Sequence, residues 1–374
     1  MRRIICYFTL LLTFRVDALP LFDVFAELKT TVPYVQLANL PTPVQHYDQL
    51  SIFIKRDDLA GFENLYGGNK VRKLEFLLAE ALQCKASKVI TFGAAGTNHG
   101  LATACYANKL RLPCLLMLTN QPNSLVVQQN MLLDYYFQAE MRLFNSSEQR
   151  RAALEQEQQS DPAAYFIPTG GSNALGAIGF VSAAFELKEQ VAQGLLPMPD
   201  RIYVPVGSAG TTAGLLLGLQ LAQIKSKLVA VAVEPEGRLG KNIERIQRLF
   251  HETNQLLHNY SSTIPLLSFP VDQLALNQKF EGERYGLWLS ETSAAASLVQ
   301  KMTGISLEGT YSAKAAAAVI QDAQSGEFAG QTLLFWNTFC GLDFSQLTSQ
   351  IDYKQLNPAL HKYFETRNFL RTSM

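Results

Sequence analysis

Gly67-Gly68-Asn69-Lys70 opens a helical pattern that runs from Val71 to Leu82. Two glycines ahead of a helix let the backbone come close to a ligand. A lysine placed there sits at the positive end of the helix, beside uncapped N–H groups that lower its pKa. An amine must be neutral to attack an aldehyde, and desolvation with nearby positive charge makes it so. On its own the tetrapeptide reads better as a surface lysine in a turn, so the case rests on what accompanies it.

Three further segments stand between a strand or loop and a helix. Pro205-Val206-Gly207-Ser208-Ala209-Gly210-Thr211-Thr212 combines small residues, whose N–H groups are exposed, with hydroxyls. It is either a phosphate cradle at a helix N-terminus or a tight strand-to-helix turn. No G-K-[ST] and no G-x-G-x-x-G is present, which excludes the Walker loop and the dinucleotide fingerprint. In Gly96-Thr97-Asn98-His99, Thr97 reads as a helix N-cap, and the backbone amides there could also take a carboxylate. In Gly309-Thr310-Tyr311-Ser312-Ala313-Lys314, Ser312 reads as an N-cap and Tyr311 as a half-buried aromatic with a polar tip. The five histidines show no metal spacing. His251 and His258 share one helix face as solvated residues and not as a zinc site.

The elements that must position these segments alternate. Strands are expected at 51–55, 88–92, 113–118, 141–144, 165–167, 201–206, 227–233 and 332–336. Helices are expected between and after them, at 97–110, 124–137, 149–159, 175–193, 212–224, 240–257, 290–302 and 313–324. This alternation predicts parallel α/β sheets with covered faces. In such sheets ligands bind beyond the carboxyl ends of the strands, where the Gly-rich and hydroxyl-rich turns lie.

At 374 residues and 48% hydrophobic composition the chain has material for two domains of ~150 residues. Thirty-two basic residues balance thirty-two acidic ones, so the charge points to neither nucleic acid nor an anionic membrane. Five scattered cysteines without a C-x-x-C pair predict reduced thiols and a cytoplasmic setting. Arg2-Arg3 and the apolar run Ile4 to Phe14 have the outline of a signal segment. The run is too short to span a bilayer and lacks an A-x-A site. Residues 1–19 are therefore taken as an N-terminal extension, with export the minor alternative.

Lys55-Arg56-Asp57-Asp58 followed by Gly67-Gly68-Asn69-Lys70-Val71-Arg72-Lys73-Leu74-Glu75 resembles a signature of one branch of fold-type II pyridoxal-phosphate enzymes. That branch holds D-cysteine desulfhydrase and 1-aminocyclopropane-1-carboxylate deaminase. The resemblance extends from Pro41 to Gly341. It implies two three-layer αβα domains with parallel-rich sheets, similar to the tryptophan synthase beta subunit. Residues 20–72 and 180–374 would form the large cofactor domain and 73–179 the small one, in a homodimer. Lys70 resembles the Schiff-base lysine. Asn98 matches the asparagine that bonds the cofactor's phenolic oxygen. Gly207, Ser208, Ala209, Gly210 and Thr211 match the phosphate loop, Tyr285 and Tyr311 two active-site tyrosines, and Ser312 the residue facing the pyridine nitrogen.

Three departures shape the expectation. Thr97 stands where the family has serine, a late H-T-G-G-like segment reads Asn337-Thr338-Phe339-Cys340-Gly341, and Ser312 replaces a carboxylate. A neutral serine leaves the ring a weaker electron sink, which suits α-proton loss and departure of a β-leaving group better than cyclopropane opening. The expected reaction is thus α,β-elimination from a small amino acid, releasing ammonia and a 2-oxo acid. Lys70 would act as base, Thr97 with the Thr97, Asn98 and His99 amides would hold the substrate carboxylate, and Tyr285 or Tyr311 would assist proton transfer. The alternatives are the cyclopropane deaminase, a hydroxyamino-acid dehydratase, and a non-catalytic cofactor-binding or metabolite-sensing relative.

Overall fold

The computed structural model describes residues 19–62, 65–235 and 242–365. The Ile4 to Phe14 run lies outside the described residues. Among the described residues ten strands are present: β1 Val44–Tyr47, β2 Ile52–Arg56, β3 Val89–Ala94, β4 Cys114–Thr119, β5 Glu140–Phe144, β6 Tyr165–Ile167, β7 Arg201–Val206, β8 Lys227–Ala232, β9 Leu274–Asn277 and β10 Leu333–Asn337. They form a six-stranded sheet in the order β1-β2-β10-β7-β8-β9 and a four-stranded sheet in the order β5-β4-β3-β6. Every pairing is parallel except β1 with β2. The expected parallel-rich α/β architecture is what forms.

Two strands escaped the sequence pattern, and both are sheet edges. Val44–Tyr47 exposes its two central residues, Gln45 and His46, and buries none, and Leu274–Asn277 buries only its first. An edge strand buries one face at most, so it carries no apolar run. Helix starts also moved where no apolar residue marks the first turn. The helix expected from Gln149 begins at Ser147, capped by the Ser146 hydroxyl on Gln149 N at 3.2 Å. Likewise the helix expected from Thr212 begins at Gly210.

One apolar helix ties the halves of the site together. Ala174–Ala192 is buried over most of its circumference, as expected of a helix with protein on all sides. Gly179 lies so close to the Lys70–Gln83 helix that an added Cβ would stand 2.1 Å from Arg72 O. Opposite, a Cβ on Gly214 of the Gly210–Leu221 helix would stand 2.3 Å from Ala177 O. Backbone contact of this kind leaves no side chain to give way, so the lysine helix and the helix behind the glycine-rich turn are fixed relative to each other.

Beneath the lysine helix lies a fully buried ionic network. Arg72 donates to Asp57 Oδ1 at 2.7 Å and to Glu186 Oε2 at 2.8 Å. Lys55 donates to Glu186, to Thr42 O at 2.6 Å and to Gln190 Oε1 at 2.7 Å. Trp336 Nε1 donates to the second Asp57 oxygen at 2.8 Å, which adds β10 to the network. Each charge is paired and hydrogen-bonded, the condition under which buried charge is tolerated.

Candidate active site

Lys70 is the first residue of its helix. The turn before it is pinned at both ends: Gly68 N donates to Asp57 O at 2.9 Å and Asn69 N to Thr338 O at 3.1 Å. Gly68 has φ of 84°, and a Cβ there would stand 2.8 Å from Thr338 O, so conformation and space both demand glycine. Cys340 Sγ accepts from Gly67 N at 3.1 Å. The departure at 337–341 thus supports the glycine pair through Cys340, while Thr338 and Phe339 line the cavity.

The Lys70 amine is part-buried and donates to Asn69 Oδ1 at 2.8 Å, 5.9 Å from the centre of the Tyr311 ring. Burial lowers its pKa from 10.5 to about 8, opposed in part by the Glu308 carboxylate. It faces a cavity of about 320 Å³. Lys70, Thr97, Asn98 and His99 line this cavity together with Gly207, Ser208, Ala209, Thr211, Tyr285 and Tyr311. Residues as far apart in sequence as Lys70 and Phe339, 269 positions, therefore meet at the carboxyl ends of β3, β7 and β10.

The turn 207–211 has the shape of an anion cradle. Ala209 adopts φ of 72°, a left-handed conformation costing a non-glycine residue about 1 kcal/mol or more. A Cβ on Gly207 would stand 2.9 Å from Tyr311 Cε1, so the cradle wall tolerates no side chain. Thr212 Oγ1 is buried, lines the cavity and has no partner among the described residues. An unpaired hydroxyl donor in the first turn of a buried helix is costly unless a ligand oxygen meets it. These features fit a phosphate group.

Lys73 was not singled out from the sequence, although it lies one turn after Lys70 on the same helix face. Its Nζ donates to Gly170 O and to Ser172 Oγ, both at 3.1 Å, and Ser172 Oγ in turn accepts from Gly210 N at 3.2 Å. Lys73 is buried and its pKa is pushed well down, first by burial and then by Lys70. A dianion in the cradle would supply the missing counter-charge.

Three expectations need correction. Gly210 does not line the cavity, because its N–H is spent on Ser172. Ser312 does not line it either. Its hydroxyl accepts from Glu308 N at 2.9 Å and lies 3.3 Å from Glu308 O. On that segment the cavity wall carries Glu308 instead, whose carboxylate caps the helix Ser312–Ser325 by accepting from the N–H groups of Thr310, Tyr311 and Ser312 at 2.7 to 2.8 Å. Burial pushes Glu308 above the usual carboxylate range. The wall is thus not served by a neutral hydroxyl alone. Third, the Thr97 amide is unavailable to a substrate, since it donates to Ala94 O at 3.0 Å. Asn98 and His99 occupy the first two helical positions, whose N–H groups have no carbonyl within the helix to reach. The Thr97 side chain accepts from Gly100 N at 3.2 Å as an N-cap.

His99 is held by a bond whose direction can be read. Thr91 Oγ1 gives its one proton to Ile167 O at 2.9 Å, so it must accept from His99 Nε2 at 3.0 Å. His99 Nδ1 then carries the lone pair, and burial beside Lys70 and Lys73 keeps the ring neutral. Tyr311 donates its hydroxyl to that of Tyr285 at 3.0 Å. Ser147, Arg150 and Arg151, from the helix Ser147–Ser160, complete the mouth and carry no sequence signal that would have placed them there. Among the described residues no helix is long and apolar enough to cross a membrane. No group of three or more His, Cys, Asp or Glu among them could hold a metal ion.

Residues 35–338 match the family described as pyridoxal-phosphate dependent enzyme. A D-cysteine desulfhydrase of Serratia proteamaculans is 34% identical over 320 residues, spanning 79% of this chain and 90% of its own. A putative 1-aminocyclopropane-1-carboxylate deaminase of Pyrococcus abyssi is 32% identical over 318 residues, spanning 82% and 91%. The crystal structure of an ACC deaminase homologue superposes with a TM-score of 0.71 at 30% identity, over 87% of this chain and 98% of that one. A serine racemase of Dictyostelium discoideum shares the fold, with a TM-score of 0.56 at 16% identity over 81% and 93%.

Proposed function

The chain belongs to the pyridoxal-phosphate dependent enzyme family, and from that premise we propose that it catalyses α,β-elimination on a small amino acid, with D-cysteine as the first substrate to test. The observation that carries this is the part-buried, readily neutralised Lys70 amine in one cavity with the 207–212 cradle. Pyridoxal phosphate, when bound, supplies an aldehyde for that amine and a ring that accepts the electrons of the substrate Cα–H bond.

Everything else falls to the chain's own groups. The Gly207, Ser208, Ala209 and Thr211 turn with Thr212 would hold the phosphate, with the Lys73 charge behind the turn. Asn98 would meet the phenolic oxygen. The amides of Asn98 and His99, with the Thr97 hydroxyl beside them, would hold the substrate carboxylate at the helix N-terminus. Lys70 Nζ takes the α-proton, and the Tyr285–Tyr311 pair gives a proton to the departing sulfur. The net reaction converts cysteine and water to a 2-oxo acid, ammonia and hydrogen sulfide. Glu308 on the wall supports a second reading, ring-opening deamination of the cyclopropane amino acid, since a carboxylate there strengthens the sink that Ser312 does not.

We further propose a division into lobes at 20–72 with 180–374 and at 73–179, a homodimer, and a reducing cytoplasmic setting consistent with four unpaired described cysteines. The test is purified protein incubated with pyridoxal phosphate. A visible absorbance band absent from Lys70→Ala supports the reading, and sulfide with 2-oxo acid from D-cysteine, but not L-cysteine, fixes the substrate. A band that survives Lys70→Ala removes Lys70 from the role. Product from the cyclopropane amino acid alone favours the second reading.

A further inference from the structure

Asn98 does not choose its own orientation. The amide of Asn130, on the helix Leu125–Tyr136, is 3% exposed and reaches two acceptors from one nitrogen. Its Nδ2 lies 2.9 Å from Gly96 O and 2.9 Å from the Asn98 side-chain oxygen. A backbone carbonyl can only accept, so the Asn130 atom against Gly96 must be the NH2 group. The Asn98 atom against that same NH2 must then be its carbonyl. The Asn98 NH2 is left with no hydrogen bond among the described residues, on a residue that lines the cavity.

We propose that Asn130 is a positioning residue that sets the flip state of the Asn98 amide, so that a donor rather than an acceptor is offered to the phenolic oxygen of the cofactor. The inference rests on the reading of Asn98 as that oxygen's partner and adds the residue that enforces it. Asn98 alone could present either face, because the two ends of an amide are nearly isosteric. Gly96 O is the fixed reference: it orients Asn130, which orients Asn98. The two amides act in series across the gap between the helix Leu125–Tyr136 and the turn before the helix Asn98–Lys109.

The test is Asn130→Asp, which keeps the size and removes the donor. Asn98 then turns its NH2 toward the new carboxylate and presents its oxygen to the phenolic oxygen. Pyridoxal phosphate should bind about tenfold or more weakly, as for a lost hydrogen bond to a charged group. The phenolic oxygen, without its donor, becomes more basic, so the visible band of the bound cofactor should titrate at higher pH. Asn130→Ala, which leaves Asn98 free to rotate, should shift both readouts the same way by less, and it serves if the aspartate variant does not fold. In an Asn98→Ala background, Asn130→Asp should change neither further. Wild-type affinity and titration in both Asn130 variants would overturn the proposal. So would an undiminished Asn130→Asp effect in the Asn98→Ala background, which would mark a purely structural role. Should Asn98→Ala alone leave band and affinity intact, the reading of Asn98 fails and the positioning role with it.

Discussion

Asn69 Nδ2 lies 2.9 Å from Thr211 Oγ1, so the residue before the lysine is bonded directly to the glycine-rich turn 142 positions later. Its Oδ1 accepts from Lys70 Nζ at 2.8 Å. One amide therefore sets the amine relative to the cradle. Asn69→Ala should weaken binding of pyridoxal phosphate about tenfold, from two lost hydrogen bonds of ~1 kcal/mol each offset by solvent. Asn69→Asp should keep the bond to Lys70 and add a charge beside it, raising the amine's pKa and slowing cofactor capture at neutral pH. A cofactor titration of each apoprotein, read by absorbance, checks both. Wild-type capture by Asn69→Asp would show that Asn69 does not govern the amine.

The Lys70 pKa of about 8 makes two pH predictions with a common sign. Capture of an aldehyde needs the neutral amine, so the capture rate should rise with pH through about 8 and level off above it. Folding is linked to the same proton. The folded state binds the Lys70 proton more weakly than the unfolded chain, whose lysine titrates near 10.5. The group therefore lowers stability below pH 8, and the deficit disappears as pH rises from about 8 toward 10.5. At pH 7 apo Lys70→Met should consequently melt higher than the wild-type apoprotein, by roughly 1–3 °C. A lower melting temperature would mean that the charged amine has better partners than Asn69 alone.

Arg72 tests the scaffold apart from the chemistry. Removing it leaves Asp57 and Glu186 buried with Lys55 as the remaining cation of the network. Arg72→Met should cost about 3–5 kcal/mol in chemical denaturation, the range for breaking a buried pair by removing one partner. The loss should appear in the apoprotein as well as with cofactor bound. A loss confined to the bound form would move Arg72 from scaffold to site.

Much of the signature around Lys70 belongs to this scaffold, which explains what the sequence made legible. Lys55, Asp57 and Arg72 are the buried network, and Glu75 accepts from the N–H groups of Leu37 and Ala38 at 3.0 and 2.9 Å. Of that stretch Gly67, Gly68, Asn69 and Lys70 line the cavity, so the segment is distinctive because its geometry is held by charges that must all be paired. Parallel strands were readable because both their faces are buried and they run apolar. Ser312 was misplaced for the opposite reason. Nothing in Leu307-Glu308-Gly309-Thr310 tells from sequence that Glu308 folds back onto three amides and occupies the wall. Asn130 and the arginines of the Ser147–Ser160 helix are equally silent, since only tertiary packing brings Asn130 to Asn98 and Arg150 and Arg151 to the cavity.

The direction of the bond between the two tyrosines separates their roles. The two hydroxyls lie 3.0 Å apart, and with Tyr311 as donor its one proton is committed to Tyr285. Burial raises the Tyr311 pKa well above the ordinary value, so its hydroxyl stays protonated. Tyr285→Phe should therefore remove the proton given to the leaving group, lowering kcat about a hundredfold with little change in KM, as for general acid catalysis. Tyr311→Phe keeps the ring that packs on Gly207 and removes only the support, so kcat should fall by about tenfold or less. Substrates with a leaving group that departs readily as an anion need no acid, and their turnover should be nearly equal in the wild type and Tyr285→Phe. If Tyr311→Phe proves the more damaging variant with cysteine, the bond runs the other way in the working enzyme and Tyr311 is the acid.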